Sequence, residues 1–330
     1  MGVIISLPIG IARTVVGALQ KFVLRQNKPL RIDIPLPFIP IDVVLVTDAA
    51  QIMTLTNHPD VDHLHALPTD KLPFWSTWFF SGTRFHNKSH DKWFLAFEPQ
   101  SEAAQYSERR KVFEDKLSSG FAGEDVKSLA DQIASGASEE QVAVSLAQIV
   151  DARFMKSELN SIPVEVVRET RHVLPTNLVA ALVPGNQKRG VQAQEATYSF
   201  CQKNAQPGLD VMDVTHNVGS VVTIMAVAVL KLKDNLDTPI EHLFTRKSNC
   251  PTPQVPRVVM RETNLNGLLR YPGRPSSTIV MLSISSAAEQ ANSLFFTFGT
   301  GTEWRACPFK DFFFNFMTAL QAELKTRRQS

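Results

Sequence analysis

Near the end of the chain, Phe298-Gly299-Thr300-Gly301 runs into Arg305-Ala306-Cys307-Pro308, and a stretch dense in phenylalanine follows. A cysteine thiolate is a soft, charged metal ligand, and it needs a rigid turn that points its sulfur at the metal. Gly299 and Gly301 allow such a turn and a close backbone approach. Pro308 suits the first turn of a helix, whose positive end would lower the thiol pKa. Arg305, two residues before the cysteine, offers a bidentate fork for an anion beside the metal, such as a cofactor carboxylate. The competing reading is a free cysteine buried in a turn, the commoner fate of a single cysteine. On these residues alone both readings stand.

The elements that must position this loop come from a chain of 330 residues, 44% hydrophobic, with a formal net charge of +2. That is enough apolar matter for a substantial core and too much for a disordered protein. The balanced charge leaves no electrostatic footprint for nucleic acid. Cys201, Cys250 and Cys307 are an odd, widely spaced set, which excludes a disulfide framework or paired-cysteine zinc site and favours a reducing, intracellular compartment. Residues 1–25 are apolar but interrupted by Pro8, Arg13 and Lys21. They are too broken for a spanning helix and lack the basic leader of a signal peptide. They read as an amphipathic helix that packs on the body or lies at a membrane surface.

The pattern predicts a mainly α architecture with a small β element, in one large domain over residues 1–330. Short strands are expected at Leu30–Ile34 and Asp42–Val46, set apart by Pro35, Pro37 and Pro40. Asp48 should cap a helix over Ala49–Thr56. An aromatic stretch from Phe74 to Phe85 has no clear period and reads as packing or the wall of an apolar pocket. Helical spacing is clear in Tyr106, Arg110, Phe113 and Leu117, and further helices are predicted at Asp125–Ile133, Glu139–Met155, Val164–Val173 and Val191–Cys201. The longest runs from Leu209 to Leu232. A helix is expected from Arg257 to Leu269 and a strand from Thr278 to Ile284. After the cysteine, Phe313, Phe316, Leu320 and Leu324 share one helical face. The pairs His63/His65 and His86/His90 lie in polar, loop-like sequence that is poor at fixing metal geometry. Gly185–Gly190 lacks the spacing of a phosphate loop and reads as a turn. No Gly-x-Ser-x-Gly elbow of a serine hydrolase occurs.

The terminal stretch resembles the cysteine-ligand loop of the cytochrome P450 superfamily, Phe-Gly-x-Gly-x-Arg-x-Cys-x-Gly. Phe298, Gly299, Gly301, Arg305 and Cys307 match it in type and order. Tyr106, four residues before Arg110, resembles the family's Trp/His-x-x-x-Arg helix, which clamps a haem propionate. Leu209–Leu232 sits where the family places its central helix over the haem. The resemblance implies a shortened P450-like haem-thiolate fold with haem b as cofactor and Cys307 as the axial iron ligand. Tyr106, Arg110 and Arg305 would hold the propionates, Gly301 would serve the turn, and Phe298 would pack near the sulfur. Gly219, Thr223 and Asn217 would line the distal side. The implied activity is a monooxygenase-type oxidation of an apolar small molecule or lipid, fed by an electron-donor reductase.

The departures from the family pattern bear on the reaction. Two extra residues lie between Gly301 and Arg305, and Phe309 stands where the family has glycine after the cysteine. The family's Glu-x-x-Arg pair, sought in the Arg257–Leu269 helix, reads Glu262-Thr263-Asn264-Leu265, without the arginine. The central helix offers Thr223 but no acid beside it, and Asn217 precedes Gly219. That asparagine, the lengthened loop and Lys310-Asp311 resemble the allene oxide synthase and hydroperoxide lyase branch, which rearranges lipid hydroperoxides without oxygen or a reductase. A haem-free binding or scaffold relative is the alternative from outside enzymology.

Overall fold

The computed structural model describes residues 30–36, 39–63, 107–151, 153–156, 162–173, 184–252, 255–261, 278–294, 296–298 and 306–329. Among them a five-stranded sheet forms at one side of a helical body. β1 (Leu30–Leu36) and β2 (Ile39–Val46) pair antiparallel, with Pro35 opposite Pro40. These prolines therefore lie inside the ladder rather than separating two strands. A proline has no N–H to give a ladder, and both sit at the turn end of the hairpin, where a missing donor costs least. β5 (Thr278–Leu282) runs parallel to β2, and β4 (Val255–Val259) closes on β5 antiparallel. β3 (Val61–His63) pairs with β4 at the far edge, giving the order β1-β2-β5-β4-β3. All five residues of β5 are buried, as a near-continuous apolar run in a covered central strand should be.

Two of the predicted helices match their observed bounds. α1 (Ala49–Thr56) starts where the Asp48 carboxylate accepts the Gln51 N–H at 2.9 Å. α5 (Val164–Val173) also has the bounds its spacing predicts. Between them lie α2 (Ser107–Ser118), α3 (Gly123–Ala134) and α4 (Glu139–Asp151). α4 begins in a reciprocal cap: Ser138 N–H donates to Gln141 Oε1, and Gln141 N–H to Ser138 Oγ. It stops at Asp151, short of the predicted Met155. α6 (Pro184–Asn204) is longer than predicted and absorbs Gly185–Gly190, so that segment is helix and not a turn.

The central helix spans Val211–Lys233, about 35 Å at 1.5 Å per residue, in three pieces. α7 (Val211–Ser220) is capped by Asp210, a π-helical turn follows over Val221–Met225, and α8 (Ala226–Lys233) completes it. The helix is long and apolar enough to cross a membrane, but 76% of its most apolar window is buried in the protein, as in a core helix. Its Val214, Val218, Val221, Val222, Met225 and Val229 belong to the main apolar core, shared with α3, α4 and α11 (Lys310–Gln329). On α11 the predicted face of Phe313, Phe316, Leu320 and Leu324 is buried. Gln321 of the same helix donates to the carbonyls of Leu236 and Thr238 at 2.8 and 2.7 Å, fastening α11 to the loop beyond the central helix.

A smaller core covers the sheet. Val46, Val280 and Leu282 pack with Ile52 and Leu55 of α1 and with Ala287 and Ala288 of α10 (Ile284–Ala291). α10 replaces the end of the strand predicted over Thr278–Ile284. Ser283 gives its N–H to the Val46 carbonyl at 2.8 Å and then starts the helix. The start of the helix predicted over Arg257–Leu269 is corrected, since Val255–Val259 is strand β4, and its residues 262–269 lie outside the described residues. In β4, Val258 and Val259 are buried in a ladder against β5 and β3, and cross-strand burial outweighs the weak helical spacing there. The N-terminal segment, the aromatic stretch, His65, His86 and His90 lie outside the described residues, and no metal-binding group of side chains occurs among the described ones.

Cys250 in the sheet-side core makes a measurable consequence. Burial pushes its thiol up to about 11, against 9.0 for an ordinary cysteine, while the Thr252 backbone and the Thr297 hydroxyl pull the other way without overcoming it. The unfolded chain therefore loses this proton before the folded one does. The stability that comes from keeping the thiol neutral is complete below about pH 9 and is lost as pH rises through about 11. The thermal midpoint should fall across that window, and fall less steeply in Cys250→Ala. Parallel slopes in a pH series of melting curves would assign the alkaline loss to other groups.

Candidate functional site

The cysteine loop closes on itself through the backbone. Cys307 N–H donates to the Phe298 carbonyl at 2.6 Å, and the Cys307 carbonyl accepts the Lys310 N–H at 3.2 Å as α11 begins. Helix α11 starts at Lys310, so Pro308 lies in the turn before it and not in the helix.

Two consecutive arginines on α2 connect this loop to the central helix. Arg110 Nη1 donates to the Ala306 carbonyl at 2.6 Å, one residue before the cysteine. Its Nη2 pairs with Glu114 one turn along, at 2.7 Å. Arg109 makes a two-pronged contact with Asp213 on α7, Nε to Oδ2 at 2.5 Å and Nη2 to Oδ1 at 2.7 Å. Asp210 lies 3.6 Å from the same guanidinium. Asp213 is buried, so this charge-assisted fork offsets a desolvation cost that an unpaired carboxylate would carry in full. The sequence reading passed over Arg109 and Asp213. The signal available was the doublet Arg109-Arg110 and an acid one helical turn before Asn217.

The thiol departs from expectation. A helix start was expected to lower its pKa, but burial raises it above the ordinary value. The Phe309 backbone and the Arg110 charge pull it down without overcoming burial, and Glu114 adds to the rise. Cys307 remains half-buried as a residue, yet protein surrounds the thiol closely enough for desolvation to dominate.

On the central helix, Thr223 lies in the π-helical turn and donates its hydroxyl to the Gly219 carbonyl at 2.5 Å. Both residues are buried. A hydroxyl bonded back to the preceding turn bends a helix, and π turns concentrate at functional sites. Val221 and Val222 beside Thr223 are buried and apolar, so the described turn presents no acid there. Asn217 is 4% exposed, and its Nδ2 has no hydrogen-bond partner among the described residues. A buried donor left unmet costs about 1–3 kcal/mol, and it suits a ligand that brings an acceptor.

Tyr106, Gly301 and Arg305 lie outside the described residues, as does Glu262. Among the described helices between the central helix and the loop, α9 (Ile240–Leu243) with the residue after it reads Glu241-His242-Leu243-Phe244, and α10 with its cap reads Glu289-Gln290-Ala291-Asn292. Neither has arginine at the third place. Glu241 is exposed, so it carries no burial cost, and Phe244 is fully buried.

The fork between α2 and α7 yields a double-mutant test. Arg109→Met should lower the unfolding free energy by about 3 kcal/mol, because it strips a buried carboxylate of its bidentate partner. Adding Asp213→Leu should restore much of the loss in denaturant titrations. Additive losses would mean that the two side chains contribute independently.

No protein-family model matches the sequence, and no curated protein matches it. Solved structures do. A cytochrome P450 of the Bacillus subtilis bacillaene polyketide synthase is 14% identical, with 97% of this chain and 90% of that one covered at a TM-score of 0.52. P450BioI, solved with an acyl carrier protein bearing hexadec-9Z-enoic acid, is 15% identical, with 96% and 91% covered at 0.52. The monooxygenase TamI, bound to tirandamycin C, is 13% identical, with 94% and 88% covered at 0.57. With the arginine helix, the long central helix and the cysteine loop in this order and arrangement, the chain has the fold of the cytochrome P450s.

Proposed function

We propose that this chain is a haem-thiolate oxidoreductase of the monooxygenase type, acting as one domain on an apolar small molecule or lipid. The observation that carries the proposal is the cysteine loop. Cys307 is held by its N–H to Phe298, and Arg110 binds the carbonyl just before it. The residues present fit a haem: a thiol beside the Phe309 backbone and a cation, and a buried carboxamide with an unmet N–H on the central helix. Cys307 would ligate the iron, and Arg110, with Arg305 and Tyr106, would hold the propionates. A haem held by a cysteine thiolate supplies electron push that favours O–O bond cleavage.

The chain's own residues then divide the work. Arg110 holds the loop by the Ala306 carbonyl and places positive charge near the sulfur. Thr223 donates its hydroxyl to the Gly219 carbonyl, which leaves the threonine oxygen able to accept a further hydrogen bond. The apolar walls of the central helix keep water out and favour an apolar substrate. The acyl chain bound with P450BioI supports a lipid-like substrate as one form of this reading. An electron-donor protein would be its partner.

A second reading is rearrangement of a lipid hydroperoxide, with no reductase. Two observations favour it: the unmet Asn217 Nδ2, a donor suited to a peroxide oxygen, and Val221 and Val222 where a proton-delivering acid would stand.

Spectroscopy tests the first step. The reduced protein under carbon monoxide should show the red-shifted Soret band of a thiolate-ligated haem, and Cys307→Ala should abolish it. A protein that takes up no haem would sink both readings and leave a binding or scaffold role. Turnover separates the two chemistries: oxidation that requires a reductase supports monooxygenation, and consumption of a fatty-acid hydroperoxide without one supports rearrangement. In the second case Asn217→Ala should slow turnover roughly a hundredfold, the scale of one lost oxyanion-type donor.

A further inference from the structure

Phe298, whose backbone fixes Cys307, and Phe309, two residues after the cysteine, both carry phenyl rings gripped by the terminal helix. Phe298, whose carbonyl accepts the Cys307 N–H, lies 5.0 Å from Phe313 and 5.2 Å from Phe314, ring centre to ring centre. Phe309 lies 4.8 Å from Phe312. Phe313 is backed in turn by the fully buried Phe244, at 5.4 Å and tilted 61°. Three consecutive rings of α11 thus engage the loop on both sides of the cysteine. These spacings and tilts are those of favourable aromatic pairs.

We propose that Phe313, backed by Phe244, is a positioning residue for Cys307, and that this aromatic wedge sets where the sulfur points. The proposal rests on the haem-thiolate reading for its purpose, but its geometry stands without haem. The chain of contact is short: Phe244 supports Phe313, Phe313 seats Phe298, and the Phe298 carbonyl orients the cysteine backbone. The same wedge accounts for one departure in the sequence. Phe309, in the place where the related loops have glycine, supplies the ring that meets Phe312.

The test uses leucine substitutions, which remove the ring pairing while keeping most of the volume. In haem-free protein, alkylation of Cys307 by iodoacetamide is followed by mass spectrometry of its peptide. Phe313→Leu should raise the rate roughly tenfold by letting the loop open locally, and Phe244→Leu should raise it about threefold. Leu55→Val in the sheet-side core, destabilising but remote from the loop, should leave it within about twofold. In haem-loaded protein, Phe313→Leu should move part of the carbon monoxide spectrum from the thiolate band to shorter wavelength. The proposal is overturned if Phe313→Leu and Leu55→Val change Cys307 reactivity alike, or if Phe313→Leu leaves it unchanged. Wild-type protein that takes up no haem defeats the functional reading alone, because the alkylation rates still decide the positioning role.

Discussion

Two neighbouring guanidinium groups on one helix reach in different directions, and the walls of the candidate site are spaced by that divergence. Consecutive helical residues point away from each other, so Arg109 and Arg110 cannot share a partner. Arg109 takes Asp213 on the central helix, and Arg110 takes the Ala306 carbonyl of the cysteine loop. One turn of α2 therefore holds two distant parts of the chain, more than a hundred residues and nearly two hundred residues away in sequence. The rest of the core can vary in packing without losing this spacing. Displacing α2 would move both walls at once.

The opposite side of the loop is held by a different force. Arg110 acts by charge and direction, whereas α11 holds the loop by burying rings. An aromatic side chain has few rotatable bonds, so seating it costs little conformational entropy for the area it covers. α11 can act as a fixed wall because it is fastened elsewhere: Gln321 binds two carbonyls beyond the central helix, and Arg327 pairs with Asp131 of α3 at 2.6 Å. The loop is thus clamped between a charged helix on one side and an aromatic one on the other. The thiol between them lies in surroundings that disfavour its charged form.

Much of this was legible in the sequence where local chemistry decides structure. The Asp48 cap, the α5 bounds and the buried face of α11 follow from side chains a few residues apart. The fold was legible from the residue types and order around Cys307. What escaped depended on partners remote in sequence. Val255–Val259 is a strand because β5 and β3 flank it, and nothing local announces them. Gly185–Gly190 is helical despite its glycines, within a long helix that packs against α5. The thiol pKa was misjudged because burial is a tertiary quantity, while the helix start that suggested lowering is a local one. The Arg109–Asp213 fork was invisible for the same reason.

The central helix carries the remaining tension. It is assembled from small and β-branched apolar residues that bury well, and yet it retains Asn217 with a donor unmet. A helix selected for packing alone would be more stable with a residue such as leucine there, since an unmet donor in a dry core has nothing to offset it. The π turn that begins about one helical turn further on has a similar character. It interrupts regular i→i−4 bonding in the middle of the core, where Thr223 bonds back to Gly219. Both features lie on the helix that Arg109 ties to α2, the helix that also holds the cysteine loop. Local departures from the best-packed solution, gathered on one stretch and braced by an ion pair, are what a binding surface requires of a core helix. The chemistry offered there is a hydrogen-bond donor and a hydroxyl among valines, with no ionisable group in the turn itself. Such a surface orients an oxygen-bearing group more readily than it supplies protons, and that asymmetry gives hydroperoxide rearrangement its standing beside oxygenation.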